Sequence, residues 1–291
     1  MIPAAIVIAI AWTLIGASGF YNFGLGFFQP GSASNPYGVL IEIVGSFLTA
    51  VPALFLSMVI GLGIAIASTT YLPPFLSKIL DPFVDLLAGI PSVVYGIWAF
   101  VVVAPIFGLL INPWAVAHLS FIPGFASSTI PPSPTSAGVG LPLAIVVLTL
   151  MALPITTLLI RDALRSIPRD LWESGLALGA TRWEVMRRVG LRHGSRGIFS
   201  AAFLGFGRAI GETVAVAMVI GSSARFPVNI YDVTNTMAAY MFENLDAALV
   251  NPTLGKNLAE LALVLLAITL VVNLLGRRLV THIYAQEVPG L

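Results

Sequence analysis

The stretch Asp170–Arg196, DLWESGLALGATRWEVMRRVGLRHGSR, sets the reading of the whole chain, because almost everything around it is apolar. Between Arg161 and Arg196 lie eight of the chain's fourteen Lys/Arg residues: Arg161, Arg165, Arg169, Arg182, Arg187, Arg188, Arg192 and Arg196. A basic island in an apolar sequence marks a cytoplasmic loop between membrane spans. It suits a docking surface for a soluble partner. It equally suits an amphipathic segment lying on anionic headgroups. The residues alone leave both open.

Composition agrees with a membrane setting. Of 291 residues, 58% are hydrophobic and 9% charged, against roughly 25% charged in a soluble domain. No Asp, Glu, Lys or Arg occurs in the 75 residues between Asp85 and Arg161, or in the 41 before Glu42. Such runs read as membrane spans. Their continuity favours helices over the alternating strands of an outer-membrane barrel. The fold expected is all-α and polytopic, one transmembrane domain over residues 1–291 with a cytoplasmic loop at 166–196. The net charge of +1, with its basic residues in one loop, gives no nucleic-acid surface. The absence of cysteine excludes disulfides, Cys-based metal sites and thiol nucleophiles.

About six spans are expected. The first runs from Ile2 to about Phe20; it has no basic flank before its apolar part and is long for a signal-peptide core. The second covers about Leu40–Tyr71, with a kink or break expected at Pro52 and Gly61/Gly63. Leu72–Asp85 reads as a short connector bearing Lys78. The third span is placed at about Leu86–Leu110, interrupted near Gly89-Ile90-Pro91-Ser92, and the fourth at Leu141–Ile160. The fifth is placed at Ile198–Gly221 and the sixth at Leu258–Leu275. Gln29–Gly38 and the five-proline segment Asn112–Gly140 read as loops, and Ser222–Lys256 as a mixed polar segment. Lys78, the island and Arg277-Arg278 then share one face with both termini, which places the termini in the cytoplasm. The opposite loops hold Arg225, with Lys256 at their margin.

Inside the island, Asp170-Leu-Trp-Glu173 and Thr181-Arg-Trp-Glu184 both have capping-box spacing, and Gly179 stands where the first helix should stop. A helical hairpin is expected. Leu171 and Leu178 fall on one face of its first helix, with Trp172 and Leu176 adjoining.

These residues also carry a resemblance. Glu173-Ser174-Gly175-Leu-Ala-Leu-Gly179, followed by Val189-Gly190-Leu191, resembles the cytoplasmic EAA loop of ABC-importer permeases. It departs from that pattern where Ser174-Gly175 replace two alanines, Val189 replaces Ile and Arg192 stands in place of Pro. The stretches Leu87–Gly96, Arg161–Arg165, Leu178–Glu184 and Gly207–Gly221 are similar to phosphate-uptake permeases of the Pst system, the last to the C-type rather than the A-type subunit. The resemblance spans about Val39–Arg278. It implies a type I ABC importer permease fold and a subunit in a prokaryotic cell membrane. The loop would be a coupling helix, with Asp170, Leu171, Trp172, Glu173, Leu176, Gly179, Ala180 and Thr181 facing an ATPase. Implied partners are a homologous A-type permease, two ATP-binding subunits and an extracytoplasmic phosphate-binding protein, with the lipid bilayer around the chain. No cofactor is expected in this chain; ATP and Mg would be held by the partner ATPase.

Arg208 and Glu212 are the sharpest intramembrane feature. Arg208 lies 12 residues past Arg196, roughly 18 Å along a helix and near the middle of a hydrocarbon layer of about 30 Å. Glu212 is expected one turn further on the same face. Charges there cost on the order of 3 kcal/mol, so they either neutralise each other or face a translocation path. Arg offers an oxyanion a planar fork of donors. Glu212 can accept a hydrogen bond from a protonated phosphate, which sulfate cannot offer. The resemblance associates the matching Arg and Glu with phosphate transport. Gly205, Gly207 and Gly211 keep this helix slim. Ser92, Tyr95 and Thr213 are secondary candidates for lining the path; an ordinary Pro kink also explains Gly89–Ser92.

Other chemistry is excluded. There is no Gly-x-x-x-x-Gly-Lys-Ser/Thr for ATP hydrolysis, and the three histidines, His118, His193 and His282, lack metal spacing. The expected function is a permease subunit of an ATP-driven importer of inorganic phosphate, not an enzyme. An importer of another oxyanion (molybdate or sulfate) and a stand-alone secondary transporter are the alternatives.

Overall fold

The computed structural model describes residues 2–19, 27–30, 38–125, 138–223, 226–227 and 229–287, and these contain no β-strand. Helix α1 spans Ile2–Ser18. Helix α2, Leu40–Ile66, ends in a π-helical turn at Ala67–Tyr71. Helix α3 follows at Pro74–Ala88, then α4 at Ser92–Leu119 and α5 at Leu141–Arg165. The island forms α6, Arg169–Ala177, and α7, Arg182–Val185. Beyond it lie α8, Ser195–Ile210, and α9, Val214–Val219. The last elements are α10, Met237–Glu243, α11, Leu245–Val250, and α12, Pro252–Glu287.

Four of the described helices are long and apolar enough to cross a membrane: Leu40–Tyr71, Ser92–Leu119, Leu141–Arg165 and Pro252–Gly276. At 17 residues, α1 is at the short end of the spanning range. The expected fifth span is divided between α8 and α9.

Several boundaries depart from expectation. Helix α2 runs unbroken through Pro52, Gly61 and Gly63; proline is tolerated in membrane helices where neighbours re-satisfy the backbone. The irregularity falls later, where Leu72 N–H bonds the Ala67 carbonyl at 2.9 Å and inserts an extra residue. The expected connector Leu72–Asp85 is mostly helix α3, opened by Pro74 at a first-turn position where proline suits a helix. The third span therefore starts at Ser92, after the Gly89-Ile90-Pro91 interruption, and continues to Leu119. The first eight residues of the expected loop Asn112–Gly140 are helical. The Ser/Thr/Pro tract at 126–137, loop residues 31–37 and Arg225 lie outside the described residues. The mixed polar segment contains α10 and α11. The sixth span starts earlier, at Pro252, and its helix continues past Arg277-Arg278 to Glu287.

Close packing forms two units, and α2, α5, α8 and α12 contribute residues to both. In the first unit (Met1–Val51, Pro91–Leu148, Ile210–Leu270), α4 packs on α9, with Gly96 against Ala215. The return loop before α10 packs on α2: Gly45 abuts the Asn235 carbonyl, and Met237 N–H donates to Ser46 Oγ at 2.9 Å. In the second unit (Pro52–Ile90, Thr149–Ala209, Val271–Leu291), Ala65, Ile160, Leu164, Met186 and Ala201 form a buried cluster. Gly205 there meets the Thr156 methyl, and Gly197 meets Ala163.

Gly63, one of the expected helix-breakers of α2, differs from Gly45 in its surroundings. A Cβ at Gly45 would collide with backbone, whereas one at Gly63 meets nothing within 4 Å. Gly45→Ala is expected to lower the melting temperature of the detergent-extracted protein. Gly63→Ala should leave it unchanged or raise it, because Ala is about 1 kcal/mol better than Gly inside a helix.

Candidate functional site

The island folds as a capped hairpin. Helix α6 starts one residue earlier than expected, with Pro168 at its N-cap and no side-chain cap, so the Asp170–Glu173 capping box does not form. Its C-terminus is closed by the two bonds of a Schellman motif: Gly179 N–H to the Leu176 carbonyl at 2.9 Å, and Ala180 N–H to the Gly175 carbonyl at 3.3 Å. Gly179 adopts φ +84°, the left-handed conformation that this motif requires.

The second capping box does form. Glu184 N–H donates to Thr181 Oγ1 at 3.3 Å, and Thr181 N–H and Oγ1 both donate to Glu184 Oε2, at 2.8 and 2.9 Å. The Thr181 backbone bond first, its hydroxyl bond second and the Arg188 charge last hold the Glu184 carboxyl below its ordinary value. Gly175, a departure from the EAA pattern, has a local reason: a Cβ there would lie 2.8 Å from Val185, which is buried against it.

The hairpin separates inward from outward residues. Trp172 is half-buried and packs against the cluster that includes Ile160, Leu164 and Met186. Leu171 is 46% and Leu178 89% exposed. Leu176, Asp170, Glu173 and Thr181 are also exposed, and Ala180 is half-buried. Behind the first turn of α6 is a cavity of about 490 Å³, lined by Thr69, Thr70, Arg165, Arg169, Trp172 and Glu173 among others.

A set of charges at the base of the hairpin was not anticipated. Arg161 and Arg165, counted above with the loop, belong to the last turns of α5. Arg161 Nη1 lies 3.0 Å from Asp81 Oδ1 and Nη2 lies 3.5 Å from Asp85 Oδ1; Arg165 Nη2 donates to Asp81 Oδ2 at 2.6 Å. Asp162 completes the group at 4.0 Å. The Arg161 side chain is only 8% exposed. The signal for this network is the matching i, i+4 spacing of Asp81/Asp85 on α3 and Arg161/Arg165 on α5.

The intramembrane candidates are arranged differently from expectation. Helix α8 ends at Ile210, so Glu212 lies in the non-helical stretch Gly211–Thr213 instead of one turn beyond Arg208. The Thr213 hydroxyl donates to the Gly211 carbonyl at 3.2 Å and caps an acceptor that the break exposes. Glu212 and Thr213 are half-buried. Arg208 is half-buried too, and its Nε is enclosed with no hydrogen-bond acceptor among the described residues. Gly205 is taken up by packing on Thr156, whereas Gly207 borders open space. Ser92 opens α4 half-buried, and Tyr95 is buried one turn on.

Comparison with known proteins shows the family and the fold. Residues 58–286 match the family model described as binding-protein-dependent transport system inner membrane component. The phosphate transport system permease protein PstC of Haemophilus influenzae is 36% identical over 87% of this chain and 78% of its own length. PstC 1 of Mycobacterium tuberculosis is 37% identical over 87% of this chain and 75% of its own. The probable ABC transporter permease protein YqgH of Bacillus subtilis is 32% identical over 96% and 86%. Among solved structures, the inward-facing MetNI methionine ABC transporter aligns with TM-score 0.58 at 19% identity, covering 84% of this chain and 97% of that one. A bacterial ABC transporter that imports alginate aligns with TM-score 0.58 at 17% identity, covering 95% of each. At these identities the structures speak for the fold alone.

The capping box gives a pH-dependent expectation. Thr181→Ala should weaken the start of α7 by about 1 kcal/mol, read as faster amide exchange at Glu184 after correction for intrinsic rate. Because the folded Glu184 carboxyl titrates below its ordinary 4.5, its protection is complete above that pH. It is lost as pH falls through the lowered value. Wild type should therefore approach the variant only in acid.

Proposed function

The chain belongs to the binding-protein-dependent transport system inner membrane components, and within them to the phosphate transport system permease proteins PstC; from that premise we propose how it imports inorganic phosphate. It is a multi-pass membrane permease subunit of an ABC importer. The observation that carries this function is the 32–37% identity to phosphate permeases over most of the chain.

In our reading both termini face the cytoplasm. An A-type permease completes the pathway, an external binding protein delivers phosphate, and two ATPase subunits hold ATP and Mg and perform the hydrolysis. Helix α6 docks on one of them. Its support is physical: the helix is closed at its C-terminus by the Gly179 turn and presents Leu171 and Leu178 to solvent. Such a helix inserts into a partner's groove with little ordering cost.

Arg208 is our first candidate for contacting the anion. A guanidinium in a membrane helix needs a counter-charge or a polar cavity, and this one has an enclosed Nε without an acceptor. Glu212, freed from the helix by the Gly211–Thr213 break, is our candidate for accepting a hydrogen bond from a protonated phosphate oxygen. Thr213, Ser92 and Tyr95 rank below them. A carboxylate acceptor favours protonated phosphate over sulfate.

Uptake of labelled phosphate by the reconstituted complex tests these assignments. ATP-dependent uptake that resists excess sulfate and molybdate is expected in wild type. Arg208→Ala should reduce it at least about tenfold, the worth of one charged hydrogen bond, with the complex assembled. Normal transport by that variant would remove Arg208 from the path. Leu178→Glu should leave the subunit folded, because the side chain is 89% exposed, yet abolish co-purification with the ATPase.

A further inference from the structure

We propose that Asp81 is a positioning residue for coupling: through Arg161 and Arg165 it ties α3 to the root of α6, so that α3 and the coupling helix move as one lever. The proposal rests on reading Arg169–Ala177 as the coupling helix. It adds to that reading a helix, α3, that the sequence treated as a connector.

The geometry has three parts. The first is register. Asp81 and Asp85 stand one turn apart on α3, and Arg161 and Arg165 one turn apart on α5. Three of the four possible cross-pairs lie within 2.6–3.5 Å. A slip of one residue, about 1.5 Å along either axis, rotates the charges out of line, so the pairs fix one alignment of the two helices. Asp81 is the bridging member, with one oxygen on each arginine, and is the more buried carboxylate, 19% exposed against 53% for Asp85. The Asp81–Arg165 contact is an aligned hydrogen bond. The Arg161 guanidinium is held by charge and burial, its Nη1 lacking a well-aligned acceptor.

The second part is the short link from clamp to lever. Only Ser166, Ile167 and Pro168 separate Arg165 from α6. Ile167 packs on the buried cluster, and Pro168 has its φ fixed by its ring. A displacement of α6 therefore reaches the end of α5, and with it α3. The third part is room to move. Trp172 seats the first turn of α6 on the buried cluster, while Arg169, Trp172 and Glu173 also line the 490 Å³ cavity, so α6 is held at its root with open space beside it. That combination describes a lever with a fulcrum. Helix α3 is in turn joined by Gly89-Ile90-Pro91 to α4.

The test is ATP hydrolysed per phosphate imported, measured in proteoliposomes holding the complete complex. Wild type must first import phosphate with ATP; if it does not, the assigned function fails and not the clamp. Given that, Asp81→Asn should assemble normally and hydrolyse ATP at close to the wild-type rate. Its ATP cost per phosphate should rise about tenfold, a typical size for a coupling energy. Asp81→Glu should recover most of the coupling. Should Asp81→Asn fail to assemble, the double variant Asp81→Leu/Arg161→Met removes the buried charges together, an exchange that buried pairs often tolerate. It is expected to assemble and to be equally uncoupled. Wild-type ATP cost in whichever variant assembles would overturn the proposal.

Discussion

Lipid offers no hydrogen bonds, and every backbone donor and acceptor within the bilayer must find its partner inside the protein. A sequence with 75 consecutive uncharged residues, apolar in continuous rather than alternating runs, meets this demand with helices, and the described spans follow. The constraint also explains the irregular places. At the end of α2 the chain keeps its bonds by widening into a π-helical turn, with Leu72 N–H reaching back five residues. At Gly211–Thr213, where the helix does stop, the Thr213 hydroxyl returns to the Gly211 carbonyl. Outside the apolar spans, α6 ends with a glycine turn and two backbone bonds, and α7 begins with a reciprocal side-chain cap.

Charge placement follows a parallel rule. The arginines fall into groups with different physical roles, although the sequence shows them as one island. Arg161 and Arg165 are neutralised by carboxylates on α3. Arg187, Arg188 and Arg192 are exposed. Arg182 reaches the Thr70 carbonyl at 3.4 Å, at the C-terminal end of the α2 segment, where helix carbonyls favour a cation. Arg208, in the last turn of α8, has an enclosed Nε without a hydrogen-bond acceptor among the described residues. A count of basic residues orients the chain in a membrane, but pairing decides which of them is available to an anion.

Much of this was legible in the sequence. Length and continuity of the apolar runs placed α2, α5 and α12, because a bilayer demands about twenty apolar residues in any context. Thr181-x-x-Glu184 and Gly179 were readable because caps and left-handed turns are local. What failed was whatever depends on distant residues. Within Leu72–Asp85 the i, i+4 spacing of Asp81 and Asp85 does not by itself name Arg161 and Arg165 as partners, so the segment read as a connector. Trp172, read from the sequence only as a docking residue, also packs on the cluster around Ile160. Asp170–Glu173 matched a capping box, but Pro168 started the helix earlier. The fifth span concealed its break, since Gly211 sits in an apolar run that reads as continuous helix. The same break moved Glu212 off the face of Arg208.

That break has a consequence for how the polypeptide is made. Helix α8 has 16 residues, about 24 Å of rise, and α9 has six, about 9 Å; neither crosses the hydrocarbon layer alone. The segment also carries Arg208 and Glu212, and a central arginine costs on the order of 3 kcal/mol when a lone helix partitions from the translocon into lipid. The contacts of Gly205 with Thr156 and of Gly197 with Ala163, both on α5, supply what an isolated segment lacks. A segment so built is expected to enter the bilayer as half of a hairpin with α5, which precedes it in the chain. A weakened α5 would then be expected to strand the segment before the transporter exists to be tested.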